Sequence, residues 1–244
     1  MLDNIVARAS IGRATDPVAR VLVRHGVAPD LVTVLGTVGS VAGAVWFLPR
    51  GQLFVGTCVV TAFVLFDLLD GAMARVKGTA TAFGAVLDST CDRIADGALF
   101  AGLAWWCLRG AEQPDAAGAA LLSLVAGQVV SYLKARAEAS GLSAQGGLVE
   151  RAERLILALV GAGLEGLGVP QALRVALWLL AVGSVITLAQ RLVAVWRSAR
   201  AQISPRPGTG VLDPGVHDPG LPDTVEEATD GDAEAGATDG VDGR

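Results

Sequence analysis

Residues 52–92 read QLFVGTCVVTAFVLFDLLDGAMARVKGTATAFGAVLDSTCD. An apolar run fit to enter a bilayer passes without a break into a stretch carrying Asp67, Asp70, Asp88 and Asp92. A carboxylate at the centre of a spanning helix costs roughly 3 kcal/mol to insert. Four of them so close together need a purpose. Asp67 and Asp70 stand three apart and Asp88 and Asp92 four apart, so each pair shares one helix face. The first helix descends toward one membrane surface and the second returns from it. The short basic link between them predicts that the helices are neighbours and that the four carboxylates converge.

The rest of the chain has the composition of a bilayer protein. Of its 244 residues, 52% are hydrophobic, and most of the 19 Lys and Arg lie outside the long apolar runs. A spanning helix needs about 20 predominantly apolar residues. Six stretches qualify: 31–49, 52–75, 84–108, 116–138, 151–168 and 170–196. Trp46, Trp105, Trp106 and Trp178 fall toward their ends, as an interfacial aromatic belt requires. Loops rich in Arg and Lys alternate with loops holding only Arg50, Arg109 and Arg174. The basic side is expected to be cytoplasmic, with both termini inside.

The expected fold is all-α, a polytopic membrane protein of six transmembrane helices preceded by an interfacial helix. Residues 1–29 form a cytoplasmic, interfacial amphipathic segment. There Val18, Val21, Leu22, Arg20 and Arg24 suit a short helix on the membrane surface, and His25 is interfacial. Asp30 is expected to cap the first span, with Thr33 three residues on. Residues 30–198 form the catalytic helical domain, and residues 199–244 an acidic cytoplasmic tail. Residues 202–244 hold ten of the 24 acids and two of the 19 bases, so the remainder is basic by three. Their Gly, Pro, Asp and Thr show no helical period and predict disorder. The first thirty residues are charged, with short apolar runs, and do not read as a cleavable leader. Cys58, Cys91 and Cys107 match no zinc or disulfide spacing and read as small buried residues.

Four converging carboxylates repel one another unless cations join them. Oxygen-only donors favour Mg²⁺, Mn²⁺ or Ca²⁺ over zinc or copper, and two metals sharing carboxylates suit phosphoryl displacement. Fixed ion pairs with Arg75, Arg93 and Lys134 are the plainer alternative, but they leave acids in excess and give Gly71 and Gly84 no reason. Arg75 lies near enough to Asp70 to pair with a phosphate.

The pattern Asp67-x2-Asp70-Gly71-x2-Ala74-Arg75-x8-Gly84-x3-Asp88-x3-Asp92 resembles, without a departure, the signature of the CDP-alcohol phosphotransferases. The resemblance covers about residues 15–198. It implies transfer of a phosphatidyl group from a CDP-linked donor to an alcohol, with release of CMP. It also implies that Asp67, Asp70 and Asp88 hold metal against the donor diphosphate. Asp92 takes the place of the general base, with a share in metal binding. Asp30, Thr33, Gly71, Ala74, Arg75, Thr81 and Gly84 match positions around the nucleotide lipid, CDP-diacylglycerol.

The acceptor is read from the loop SYLKARAEASGLSAQGGLVERAER at 131–154. Ser131, Lys134, Arg136, Arg151 and Arg154 cluster at the ends of the fourth and fifth spans, and Arg191 joins them from within the sixth. So many cations suit an acceptor that already bears a phosphate; as positive-inside determinants alone they need no acceptor. Glu150 and Glu153 are expected to orient the arginines, and Asp96 to partner Arg93. The segments SYLKARAEASG, ERAERL and FGAVLDSTCDRIADG resemble the bacterial phosphatidylinositol phosphate synthases. That branch implies inositol 1-phosphate as acceptor, the six basic-end residues as its pocket, and a homodimer in the cell membrane. Glycerol 3-phosphate is the alternative acceptor, and a carboxylate-lined ion transporter the alternative of another class. No nucleic-acid partner is expected.

Overall fold

The computed structural model describes residues 17–78 and 81–203, apart from the side chains of Leu68, Ala74 and Ile203. Residues 1–16 of the expected interfacial segment and residues 204–244 of the expected tail lie outside it. The described residues are helical and contain no strand. Residues 17–24 form α1. Then come α2 (Pro29–Phe47), α3 (Leu53–Lys77), α4 (Ala82–Arg109), α5 (Pro114–Ala139), α6 (Arg151–Gly166) and α7 (Ala172–Ile203).

Local chemistry sets the boundaries. A turn of 3-10 helix over Leu48–Arg50 closes α2, and Gly51 follows it at φ +75°, a left-handed value that glycine takes without strain. Thr81 caps α4 by accepting the Gly84 N–H at 2.9 Å. A capping box between Glu150 and Glu153 starts α6. Asp30 does not cap α2. Pro29 occupies the first turn, Ala28 becomes the cap residue, and Asp30 is carried into the helix. Proline's fixed φ and missing N–H suit that position, so the helix begins two residues earlier than the acid alone suggests.

The helices close into a ring in which α2 packs on α3 and α4, α4 on α5, α5 on α7, α7 on α6, and α6 on α3. The core gathers Leu99, Phe100 and Leu103 of α4 with Leu155 and Leu159 of α6 and Leu173, Leu177 and Leu180 of α7. A smaller cluster seats α1. Ala19 is fully buried against Val32, Ala72 and Met73, with Leu22 and Val23 beside it, while Val18 and Val21 face outward. The inner face of α1 is thus set one residue away from the valines.

Four helices, Pro29–Arg50, Leu53–Lys77, Pro114–Ala139 and Ala172–Gln202, are long and apolar enough to cross a membrane. The first half of α4 carries Asp88, Asp92 and Arg93, with Asp96 just beyond its midpoint, and α6 has 16 residues. Exposed Leu35, Val38, Trp46, Leu65, Val125, Leu179 and Val182 give the bundle an apolar exterior. Cys91 and Cys107 are buried as expected, but Cys58 is exposed on that exterior. At the end opposite the carboxylates, Asp115 Oδ2 accepts from Arg174 Nε at 2.8 Å and Trp178 Nε1 at 3.2 Å, tying α5 to α7.

Close approach at small residues lets the ring shut. A Cβ on Gly166 would stand 2.4 Å from the backbone nitrogen of Phe54, which cannot swing aside. Gly166→Ala is therefore expected to destabilise the bundle by about 1–3 kcal/mol, seen as a lowered midpoint of thermal unfolding in detergent. Gly118→Ala, where a Cβ meets nothing within 4 Å, is the control and should melt no lower than the parent.

Candidate active site

Asp67 and Asp70 lie on the last turns of α3, and Asp88 and Asp92 on the first turns of α4. Each of Asp67, Asp88 and Asp92 offers a carboxylate oxygen to a group whose members all lie within 4.8 Å of one another. The convergence expected from spacing is present for these three. Direct packing of α3 on α4 is not its cause. Among the described residues each packs chiefly on α2, which holds them at a common end of the ring. Gly36 of α2 leaves the space that Asp67 uses, since a Cβ there would be 3.2 Å from Asp67 Oδ1.

Asp70 turns differently. Its Oδ2 accepts from the Thr33 hydroxyl of α2 and its Oδ1 from the Gly71 N–H. Thr33 is buried, so the α2 residue expected near the nucleotide touches the carboxylates directly.

The chemistry of the cluster suits a divalent cation. Asp67 Oδ1 is buried with no hydrogen-bond partner, a condition costly to a carboxylate unless a cation meets it. Arg151 pairs with Asp92 at 2.8 Å, and Arg93 stands 3.9 Å from the same group. Neither Arg75 nor Lys134 has an ion pair with these acids: Arg75 Nη1 lies 3.5 Å from the point where a Cβ on Gly71 would stand, and Lys134 is 4.0 Å from Glu138.

Beside the cluster, Asp30, Thr81 and Gly84 are brought together. A Cβ on Gly84 would lie 3.1 Å from Thr81 Oγ1 and 3.5 Å from Asp30 Oδ1. Gly71 has open space above it apart from Arg75. Ala74 is within α3, with its side chain outside the described set.

On the other side of Asp92 opens a cavity of about 960 Å³, lined by Ser131, Lys134, Arg151, Arg154 and Arg191 along with Asp92 itself. Five of the six expected acceptor residues meet there. Arg136 does not line it and is exposed on the far part of α5, because a helix turns successive residues away from one another. Arg191 is buried: its Nε donates to the Gly146 carbonyl at 2.9 Å, and its Nη2 stands 3.3 Å from Glu150 Oε1. Nearby, the N–H of Leu148 donates to Gln190 and that of Val149 to Thr187, so α7 straps the loop that borders the cavity. Glu150 does meet an arginine. Glu153 instead accepts the Glu150 N–H at 3.0 Å as part of the cap.

Two residues outside the expected site complete the arrangement. Arg93 donates from Nη1 to the Ser131 hydroxyl. Asp96 is buried and meets Arg154 as well as Arg93. The expected pairing of Asp96 with Arg93 is present at 3.8 Å, whereas the arginine from α6 had no signal in the sequence.

Known proteins are similar to this chain in sequence and in fold. The family model for CDP-alcohol phosphatidyltransferase matches residues 26–189. The phosphatidylinositol phosphate synthase of Mycobacterium marinum is 56% identical over 199 residues, 80% of this chain and 85% of that protein. The crystal structure of Mycobacterium tuberculosis phosphatidylinositol phosphate synthase with CDP-DAG bound is similar at a TM-score of 0.73 and 58% identity, covering 76% of this chain and 95% of that one. The structure of the same mycobacterial enzyme in complex with manganese and citrate gives 0.73 and 58%, covering 75% and 90%. With the signature residues gathered at one end of a helical ring and that model matching most of the length, this chain is an enzyme that belongs to the CDP-alcohol phosphatidyltransferase family.

Proposed function

We propose that the chain transfers the phosphatidyl group of CDP-diacylglycerol to inositol 1-phosphate, releasing CMP and leaving phosphatidylinositol phosphate in the membrane. The observation that carries this reading is the position of Asp92. It joins the carboxylate cluster on one side, and on the other it is 2.8 Å from Arg151 in the wall of the basic cavity. A hydroxyl held in that cavity beside its phosphate is within reach of the one carboxylate that both halves of the site share.

The roles in this reading rest on that position together with the resemblance to the family. Asp67, Asp70, Asp88 and Asp92 hold the metal, two Mg²⁺ ions with Mn²⁺ as a substitute. When bound, the cations offset the charge of the donor diphosphate and of its departing phosphate. Asp30, Thr33, Gly71, Ala74, Arg75, Thr81 and Gly84 receive the nucleotide lipid, with Gly71 and Gly84 leaving room and Arg75 facing phosphate. Ser131, Lys134, Arg151, Arg154 and Arg191 hold the acceptor phosphate. Asp92 takes the acceptor hydroxyl's proton as its oxygen bonds to the phosphorus of the phosphatidyl group. The bond from that phosphorus to the bridging oxygen breaks, and CMP leaves with the electron pair.

In the same reading residues 30–198 are the catalytic domain and span the cell membrane six times, with α4 and α6 completing the set. Residues 1–29 lie along the cytoplasmic interface, and 199–244 form a cytoplasmic tail. The site opens to the cytosol, and two copies form a homodimer. The basic cavity suits either acceptor, and the similarity to phosphatidylinositol phosphate synthases favours inositol phosphate over glycerol 3-phosphate.

A panel of acceptors tests the substrate. The purified protein, radiolabelled CDP-diacylglycerol and Mg²⁺ are incubated with inositol 1-phosphate, glycerol 3-phosphate or free inositol. Labelled phosphatidylinositol phosphate with the first alone is the expected result. Product with glycerol 3-phosphate alone reassigns the acceptor. Product with none refutes the transfer.

A further inference from the structure

Asp96 occupies no position of the family signature, yet it is 4% exposed and three guanidinium groups converge on it. Arg154 Nη2 lies 3.1 Å from its Oδ2, Arg151 Nε 3.3 Å from its Oδ1, and Arg93 Nη2 3.8 Å from its Oδ2. These three cations come from two helices, α4 and α6, and all line the cavity beside Asp92. Like charges at this density, away from bulk water, repel unless an anion lies among them. Asp96 is the anion at their centre and Asp92 borders Arg151 and Arg93, so two carboxylates against three guanidiniums leave about one positive charge unmatched, to which Lys134 of the cavity wall adds another. A phosphate monoester carries close to two negative charges near neutral pH.

Other contacts fix the guanidiniums in place. Arg154 lies against the bare backbone of Gly127, where a Cβ would stand 2.7 Å from its Cζ and 2.9 Å from its Nη1. Arg93 is held by the Ser131 hydroxyl, and its backbone carbonyl accepts from Gln128 Nε2 at 3.2 Å. Arg151 is divided, with Nη2 2.8 Å from Asp92 Oδ1 and Nε 3.3 Å from Asp96 Oδ1, the latter an ion pair without a hydrogen bond. Without Asp96 its only acidic partner of the two is Asp92, the group that has to accept a proton.

We propose that Asp96 is a positioning residue that holds Arg93, Arg151 and Arg154 as a preformed cationic cup for the acceptor's phosphate and limits the grip of Arg151 on Asp92. This rests on the reading that the acceptor carries a phosphate. It acts through the arginines, because its oxygens lie 3.1–3.8 Å from them and Asp96 itself does not line the cavity.

The test is Asp96→Asn in the full chain, which keeps the shape and removes the charge. The KM for the phosphorylated acceptor is compared with the dissociation constant for CDP-diacylglycerol, and inorganic phosphate serves as a competing anion. The acceptor KM should rise roughly tenfold or more and phosphate inhibition weaken in step, while donor binding stays within about twofold. A purely structural role would lower the amount of active protein without moving the acceptor KM, and that outcome overturns the proposal. So does an equal rise for donor and acceptor. If Asp96→Asn does not fold, Gly127→Ala keeps every charge but displaces the Arg154 guanidinium. It should raise the acceptor KM several-fold with the donor constant unchanged, and an unchanged acceptor KM refutes the cup. Each variant is assayed with inositol 1-phosphate and with glycerol 3-phosphate. If the parent uses only the second, the substrate reading fails, while the role of Asp96 is still judged on the acceptor that reacts.

Discussion

Asp92→Asn is expected to stop lipid product formation while leaving CDP-diacylglycerol bound. Asparagine matches aspartate in size and keeps one oxygen toward Arg151, which lies 2.8 Å away in the parent. It cannot accept a proton at neutral pH. Loss of a general base costs about 10²–10⁴-fold in rate, and the loss of a negative ligand beside Asp67 and Asp88 adds to it. Donor binding has other supports. Asp67, Asp70 and Asp88 remain, as do Asp30, Thr81 and Gly84, which lie together beside the carboxylates. Single-turnover CMP release and equilibrium binding of labelled donor, measured on the same preparation, separate the two effects. Binding that vanishes together with turnover would make Asp92 chiefly a holder of metal. Release of CMP at the parent rate would remove it from the proton transfer altogether.

How far the site was legible depends on what spacing encodes. The i, i+4 interval places Asp88 and Asp92 on one face of α4, and both join Asp67 in the cluster, while Asp70, three residues from Asp67, turns to Thr33. Spacing does not encode which third helix lies alongside. The part played by α2, with Gly36 against Asp67 and Thr33 against Asp70, follows from tertiary packing. Asp30 looked like a cap because acids favour helix starts, but Pro29 moved the start ahead of it. Glu153 looked like an arginine's partner because of its charge, and the backbone of Glu150 claimed it first.

The acceptor cavity illustrates a related limit. Lys134 and Arg136 are two residues apart in a basic run, yet only Lys134 lines the cavity. Residues two apart on a helix point in widely different directions, so a cluster in sequence is at most partly a cluster in space. Asp96 gave the converse. As a lone acid one turn beyond the signature it suggested a partner for Arg93, and α6 then supplied two more arginines from 55 and 58 positions away. The helices were legible because their apolar runs are long. The spans of α4 and α6 are harder to count, since charged residues take up the first half of one and the other has 16 residues.

Asp67→Asn should have the other large effect, in two directions that oppose each other. Asp67 Oδ1 is buried and has no hydrogen-bond partner, and Asp88 and Asp92 offer oxygens within 4.8 Å. At that separation two carboxylates repel by about 3 kcal/mol for an effective dielectric constant of about 20. Removing one charge relieves that repulsion and breaks no hydrogen bond of the orphaned oxygen. In the presence of a chelator the variant should therefore melt no lower than the parent. With divalent cation the order reverses. A ligand at 100 times its dissociation constant stabilises the folded state by about 2.7 kcal/mol, and the parent should gain that while the variant gains little. Thermal melts in detergent across a Mn²⁺ titration read both effects without any assay of turnover. Activity should fall with the lost cation affinity, and excess cation should restore part of it. Equal cation-induced shifts in parent and variant, or full activity of the parent after exhaustive chelation, would remove the metal from this site. The orphaned oxygen beside Gly36 would then be left as a buried charge with nothing to balance it, a state that few kcal/mol of net folding stability can carry.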